Sequence, residues 1–221
     1  MKKIISIALF ATLVMQGCTN VDEVVYDKFA AKDFYSNSVG ANAALANVYS
    51  QVPGNWGGVG YAGADNGWYD LNSMCTDEQV VPHRNTGDWE LTFSELYLRK
   101  WSTSHSQVNN TWNWLYKSVF SANLAIQLLE TAKADESKIA EAKIMRAFFY
   151  YLLMDDFGNV PFFTDNNITV DKMPQKSRKE VFDFVVSELK ANIDKLSPEK
   201  EANITVDSTN GPDMLCCLKY I

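Results

Sequence analysis

Between Asp77 and Trp101 the chain gathers Asp77, Glu78, His83, Arg84, Asn85, Asp88, Trp89 and Trp101. An indole ring offers a flat apolar platform for the axial C–H faces of a sugar ring, while Arg, Asn and Asp side chains hydrogen-bond the hydroxyls around it. Such residues on semi-rigid loops suit a saccharide. The same residues also fit a packing role, with Trp89 plugging its loop onto neighbouring helices and Arg84 paired to Asp88. The candidate ligand contacts are therefore Arg84, Asp88, Trp89 and Trp101, with Trp56 and Trp68 in the same ring-rich region.

Other chemistries find less support. Glycoside hydrolysis needs two carboxylates at a defined separation across a cleft, and an acid-rich chain can meet that by chance. No P-loop, GxSxG or HExxH pattern occurs. The four cysteines, Cys18, Cys75, Cys216 and Cys217, include no CxxC pair, and His83 and His105 are the only histidines. Metal sites need spaced ligands, so no metal centre is expected. The expectation is a binding protein, with no catalytic residue, no cofactor and no metal.

The elements that must position those side chains follow from periodicity. A helix is expected over Ser38–Gln51, with Ala41, Leu45 and Val48 on one face, ended by Pro53 and Gly54. From Gly54 to Thr103 the composition shifts: seven of the eleven glycines lie between Gly54 and Gly87, which reads as a loop region with large rings embedded in it. Helical spacing returns over Thr111–Leu129, where Trp112, Leu115, Tyr116, Val119, Ala122, Ile126 and Leu129 form a stripe. Trp114 stands off that stripe and fits either a partner contact or ordinary packing.

A helix through Ser137–Asp156, with Asp135 or Ser137 as its cap, is apolar on nearly every side from Ile144 to Met154, Arg146 being its one charge there. Such a helix belongs between neighbours. Gly158 and Pro161 stop it, and Asp155 and Asp156 sit where the helix dipole disfavours acids, so a cationic partner or a functional reason is expected. These two helices should fold back as an antiparallel pair of the tetratricopeptide kind. A last helix starts at Ser177 with a capping box to Glu180 and ends before Pro198.

Residues 1–17 have the form of an export signal: Lys2 and Lys3, an apolar run from Ile4 to Met15, and Gly17 before Cys18. The run is too short to span a bilayer as a stable helix. A cysteine placed so is the substrate of lipoprotein processing, which makes Cys18 the expected lipid attachment site; a free or disulfide-bonded Cys18 is the alternative. Two acyl chains give stable anchoring where one is marginal. Removing the signal leaves 18 basic and 27 acidic residues, a net charge of −9, which makes nucleic acid a poor partner.

The run AEAKIMRAFFYYLLMDDFGNVPFF, from Ala140 to Phe163, resembles the AEAR, LRAFYYF, DLFG and VPL run of SusD/RagB-type proteins. These are surface-exposed glycan-binding lipoproteins of Gram-negative glycan-utilisation systems. Agreeing features follow in the family's order: the lipoprotein signal, SNSVGANAALANVYSQV, TDEQVVPHRNTGDW and the helix from Thr111. The resemblance implies a mainly α fold with tetratricopeptide-like antiparallel helix pairs and long loops. It divides the chain into a signal peptide (1–17), a lipidated tether (18–33) and an N-terminal helical domain (34–221).

It also implies an outer-membrane, lipid-anchored protein facing the cell exterior, with an oligosaccharide ligand and a SusC-type TonB-dependent transporter as partner. A peptide or glycoprotein nutrient is the alternative ligand. Residue by residue, Asp77 and Glu78 match the family's acidic pair, Pro82 its proline, Arg84 its arginine, and Asp88 with Trp89 its DW; Glu90–Phe93 replace the usual following glycines. The terminal NGPDMLCCLKYI departs from the family's glycine-led helix. Members run to more than twice this length, so the fold is expected to be incomplete at the C-terminus. An exported remnant that binds nothing is the competing expectation.

Overall fold

The computed structural model describes residues 38–53, 59–61, 67–81, 90–169 and 173–196. Cys18, Trp56, Pro82, His83, Arg84, Asn85, Asp88, Trp89, Cys216 and Cys217 lie outside them, as do the proposed signal and tether. Among the described residues six helices and one short ladder follow in order: α1 (Ser38–Ser50), α2 (Trp68–Met74), α3 (Glu90–Tyr97), α4 (Ser106–Thr131), α5 (Glu136–Phe157), β1 (Val160–Pro161), β2 (Gln175–Lys176) and α6 (Arg178–Asn192), closed by a 3-10 turn over Ile193–Lys195. The protein is mainly α-helical, as expected.

α5 is the centre of the fold, packed between α4 and α6, with α1 laid on α4 and α5. Its residues from Ile144 to Met154 are buried except Tyr151, as an all-round apolar helix requires. α1 contributes the predicted Ala41, Leu45 and Val48 to the same core. The Tyr49 hydroxyl donates to Glu141 on α5 at 2.9 Å, tying α1 to it.

Arg146, the isolated charge in the apolar stretch, is only 7 % exposed. Its guanidinium donates to both Glu188 oxygens on α6 (3.0 and 2.5 Å), to the Asn123 side-chain oxygen on α4 (2.9 Å) and to the Thr164 carbonyl (3.4 Å). A single residue thus clamps α4, α5 and α6. Bidentate geometry and full hydrogen bonding are what make a buried ion pair tolerable.

Gly158 ends α5 with φ +73°, in the left-handed region that favours glycine, and its N–H bonds back to the Met154 carbonyl. The chain then runs to Phe163, whose N–H and C=O are both held by the buried Tyr150 hydroxyl (2.9 and 2.6 Å). Burial pushes the Tyr150 phenol above its ordinary pKa, so it stays a hydroxyl able to do both. Val160 and Pro161 pair antiparallel with Lys176 and Gln175. That ladder leads directly into Ser177, whose capping box with Glu180 starts α6 as predicted.

Three expectations need correction. The Gly54–Thr103 region is not wholly loop, since it contains α2 and α3; their apolar residues Leu71, Met74, Phe93 and Leu96 meet in a second, smaller core with Cys75, Val81 and Val108 against it. α4 begins at Ser106, five residues before Thr111. Trp114, not Trp112, is the more buried of the pair: it is 6 % exposed and donates its indole N–H to the Gln51 carbonyl at 2.7 Å. Both sides of α4 are covered, by α1 and by α5, so its buried face is wider than one stripe.

Candidate functional site

α2, α3 and the segments flanking them form a small lobe that carries the described part of the candidate site. Gly67 precedes α2 in extended backbone, and no side chain caps the helix. Its entry is fixed by backbone bonds, Tyr61 N–H to Val52 and Trp68 N–H to Gly60, both 2.8 Å. Tyr61 stacks on Trp68 at 4.8 Å and turns its edge to Phe148 of the main core at 5.5 Å. Half-buried Trp68 therefore has a packing role on Tyr61.

Beyond α2, the Thr76 hydroxyl donates to the Ser73 carbonyl (2.7 Å) and accepts from the Glu78 N–H (3.2 Å). This turn launches Asp77 and Glu78, which are exposed. The Gln79 amide folds back to the Tyr69 hydroxyl at 3.3 Å.

α3 ends in a turn at Arg99, whose φ of 56° is left-handed, with Arg99 N–H bonded to Leu96 and Lys100 N–H to Glu95. This reversal delivers Trp101 to the surface, 42 % exposed. A turn from Ser102 to His105 follows. Buried His105 places Nε2 3.1 Å from the Thr92 carbonyl, so this nitrogen carries the hydrogen and ties the Trp101 loop to α3.

Trp101 has company that the sequence did not single out. Tyr69 (51 % exposed), Tyr97 (43 %), Val80 and Leu98 are also exposed, so five of the nine large exposed apolar side chains among the described residues belong to this lobe. A concentration of exposed rings marks a contact surface more than scattered ones do. Helical spacing gave no signal for Tyr97, which stands four residues after the buried Phe93 and so on nearly the same side of α3; its exposure comes from its place at the end of the helix.

A different hollow, of about 530 Å³, lies between α5 and α6 and is lined by Tyr151, Met154, Asp155, Arg178, Lys179 and Phe182. At its rim Arg178 pairs with Asp155 at 2.8 Å, the cationic partner expected at the end of α5. Asp156 turns the other way. Its Oδ1 accepts from the Asn72 amide of α2 at 3.3 Å, and burial raises its pKa to about 6, with the Asn72 bond opposing and the Asp155 charge adding.

Among the described residues no group of three or more His, Cys, Asp or Glu is placed to hold a metal ion, and no helix is long and apolar enough to cross a membrane.

A family model described as SusD-like, starch-binding and associating with the outer membrane, matches residues 54–210. The chain belongs to the SusD-like family. A SusD-like protein of Bacteroides ovatus is 23% identical over 212 residues, covering 91% of this chain and 36% of its own length. SusD-like protein P38 of Formosa agariphila is 26% identical over 202 residues, covering 89% of this chain and 36% of its own. A solved laminarin-binding SusD-like protein shares the fold with a TM-score of 0.62 at 21% identity, over 74% of this chain and 36% of that one. This SusD-like chain thus spans about a third of the length of those relatives.

Proposed function

We propose that this protein is a glycan-capturing lipoprotein of the outer membrane that holds an oligosaccharide for import through a SusC-type TonB-dependent transporter. The observation that carries the reading is the exposed Trp101 ring, presented by a bonded turn on a lobe rich in exposed aromatics. Laminarin binding by a relative of the same fold supports a saccharide as the ligand class.

In this reading Trp101 is a stacking platform, with Tyr69 and Tyr97 as further rings. Arg84, Asp88 and Trp89 of the intervening segment supply the polar contacts and a second platform. Binding of this kind needs no proton transfer and no covalent step, so the protein acts by capture and release and is not an enzyme.

Electrophoresis of the purified protein through native gels containing dissolved laminarin, starch or other soluble polysaccharides tests the ligand class. Wild type should be retarded by at least one glycan, and Trp101→Ala and Trp89→Ala should each weaken that binding by about 1 to 3 kcal/mol without loss of helix content. Retardation by none of the glycans, with binding to peptides instead, would replace the saccharide by a peptide nutrient.

Cys18 is the proposed lipid attachment site, following a signal peptide over residues 1–17 and leading a tether to residue 33. Expressed in a Gram-negative host, wild type should fractionate with the membrane and Cys18→Ala should remain unprocessed or soluble. Membrane retention of Cys18→Ala equal to wild type would defeat the anchor. The acidic surface of the mature chain and its inter-helix loops are the proposed transporter contacts.

A further inference from the structure

We propose that Asp156 is the positioning residue that fixes the α2–α3 lobe onto the core helices, and that its protonation state sets how firmly the lobe is held. The lobe has a small core of its own, separate from the one around α5. The two are joined by Tyr61 and Trp68 packed against the main core, by the partly buried Val108 of α4 against the lobe's core, by the His105–Thr92 bond at the start of α4, and by the Asn72–Asp156 hydrogen bond. The last of these is part-buried and made to a carboxyl group, so its strength depends on charge.

Asp156 stands in the last turn of α5, where the helix dipole already disfavours an anion. Its Oδ2 is buried and makes no hydrogen bond within the described residues, nor does the indole N–H of Trp68. That N–H lies near enough to oppose the rise in pKa, without meeting the distance and angle of a hydrogen bond. An oxygen so placed is far cheaper to bury as a protonated carboxyl than as a carboxylate.

Among the described residues only neutral groups relieve Asp156, and no cation is paired with it. On its own helix Asp155 adds a like charge, and the α6 cation Arg178 is engaged with Asp155. From α2 come the neutral Asn72 and Trp68 and the Cys75 thiol, whose own pKa is raised by burial and then by Asp156. Arg99, at the end of α3, acts on Cys75 in the opposite direction. From α4, the neutral Trp112 packs on the adjacent Phe157. Raising the pH therefore places an uncompensated negative charge at the junction, and Asn72 becomes its one hydrogen-bonding neighbour among the described residues.

The consequence for glycan capture rests on the function proposed above, whereas the docking of the lobe does not. Peptide-resolved hydrogen exchange separates the two, because it needs no ligand. After correction for the intrinsic rate, protection of residues 67–81 in wild type should fall at least about tenfold between pH 5 and pH 7.5, while central α4 and α5 are unchanged. Asp156→Asn, neutral and of the same shape, should hold the lobe protected at both pH values, and Asp156→Ala should leave it poorly protected at both. Protection of 67–81 that is the same at both pH values, or an Asp156→Asn profile that follows wild type, would overturn the proposal. The wild-type and Asp156→Asn profiles decide it even if Asp156→Ala does not fold.

Discussion

Arg146→Ala is expected to lower the stability of the folded protein by about 3 to 5 kcal/mol, the cost of leaving a buried partner charge uncompensated. The Glu188 side chain is 10% exposed and would keep its carboxylate in that position with both guanidinium bonds gone. The Asn123 oxygen and the Thr164 carbonyl would lose a donor at the same time. For a domain of this size the loss corresponds to a fall in Tm of roughly 10 °C, read by circular dichroism. The double substitution Arg146→Met, Glu188→Leu should recover most of it, since an apolar pair of similar volume avoids the desolvation of both charges. A single substitution with an unchanged Tm would mean that α4, α5 and α6 hold together by apolar packing alone.

The second large effect is a dependence of stability on pH with the reverse of the usual carboxylate sign. Asp156 has a pKa of about 6 in the folded protein against an ordinary value of 3.8. Between those values the native state holds a proton that the unfolded chain has released, so stability falls as pH rises from about 4 to 6. Above 6 this contribution is fully lost and the curve flattens. Two pKa units correspond to about 3 kcal/mol, an order-of-magnitude figure. Denaturant midpoints at pH 5 and pH 7.5 should therefore differ less in Asp156→Asn than in wild type, with the variant the more stable at pH 7.5. Equal pH dependence in the two proteins would show that Asp156 is not the group responsible.

Much of the main core was legible in the sequence. Four helices follow from apolar spacing and stop signals, and the Ser177–Glu180 capping box and the Gly158 stop stand as the residue types require. What escaped has physical reasons. α2 and α3 each offer two inward apolar residues, Leu71 with Met74 and Phe93 with Leu96, too few to establish a period. The first turn of α4, SQVNN, is polar and starts at His105 with no side-chain cap, so nothing local marks its beginning. Arg146 stood out as a lone charge, but its partner Glu188 is 42 residues away and becomes a neighbour only through the fold.

The site divides in the same way. Residue type singled out Trp101, and the structure shows its ring exposed. Trp68 carried the same side chain in the same ring-rich region and is instead stacked on Tyr61, a distinction that composition cannot make. Asp155 and Asp156 were equivalent as a pair of acids at a helix end, yet one meets Arg178 at an exposed rim and the other faces α2 in a part-buried junction.

Titration calorimetry of the soluble polysaccharide that retards the protein, against wild type, Trp101→Ala and Phe182→Ala, tests the central claim most directly. Phe182 lies in the α5–α6 hollow, whose lining includes no residue of the lobe, and serves as the control. Wild type and Phe182→Ala should bind alike, and Trp101→Ala should lose about 5- to 150-fold in affinity, as the loss of one stacking platform implies. Unchanged affinity in Trp101→Ala, or a loss confined to Phe182→Ala, would contradict the assignment of the lobe as the glycan-binding surface.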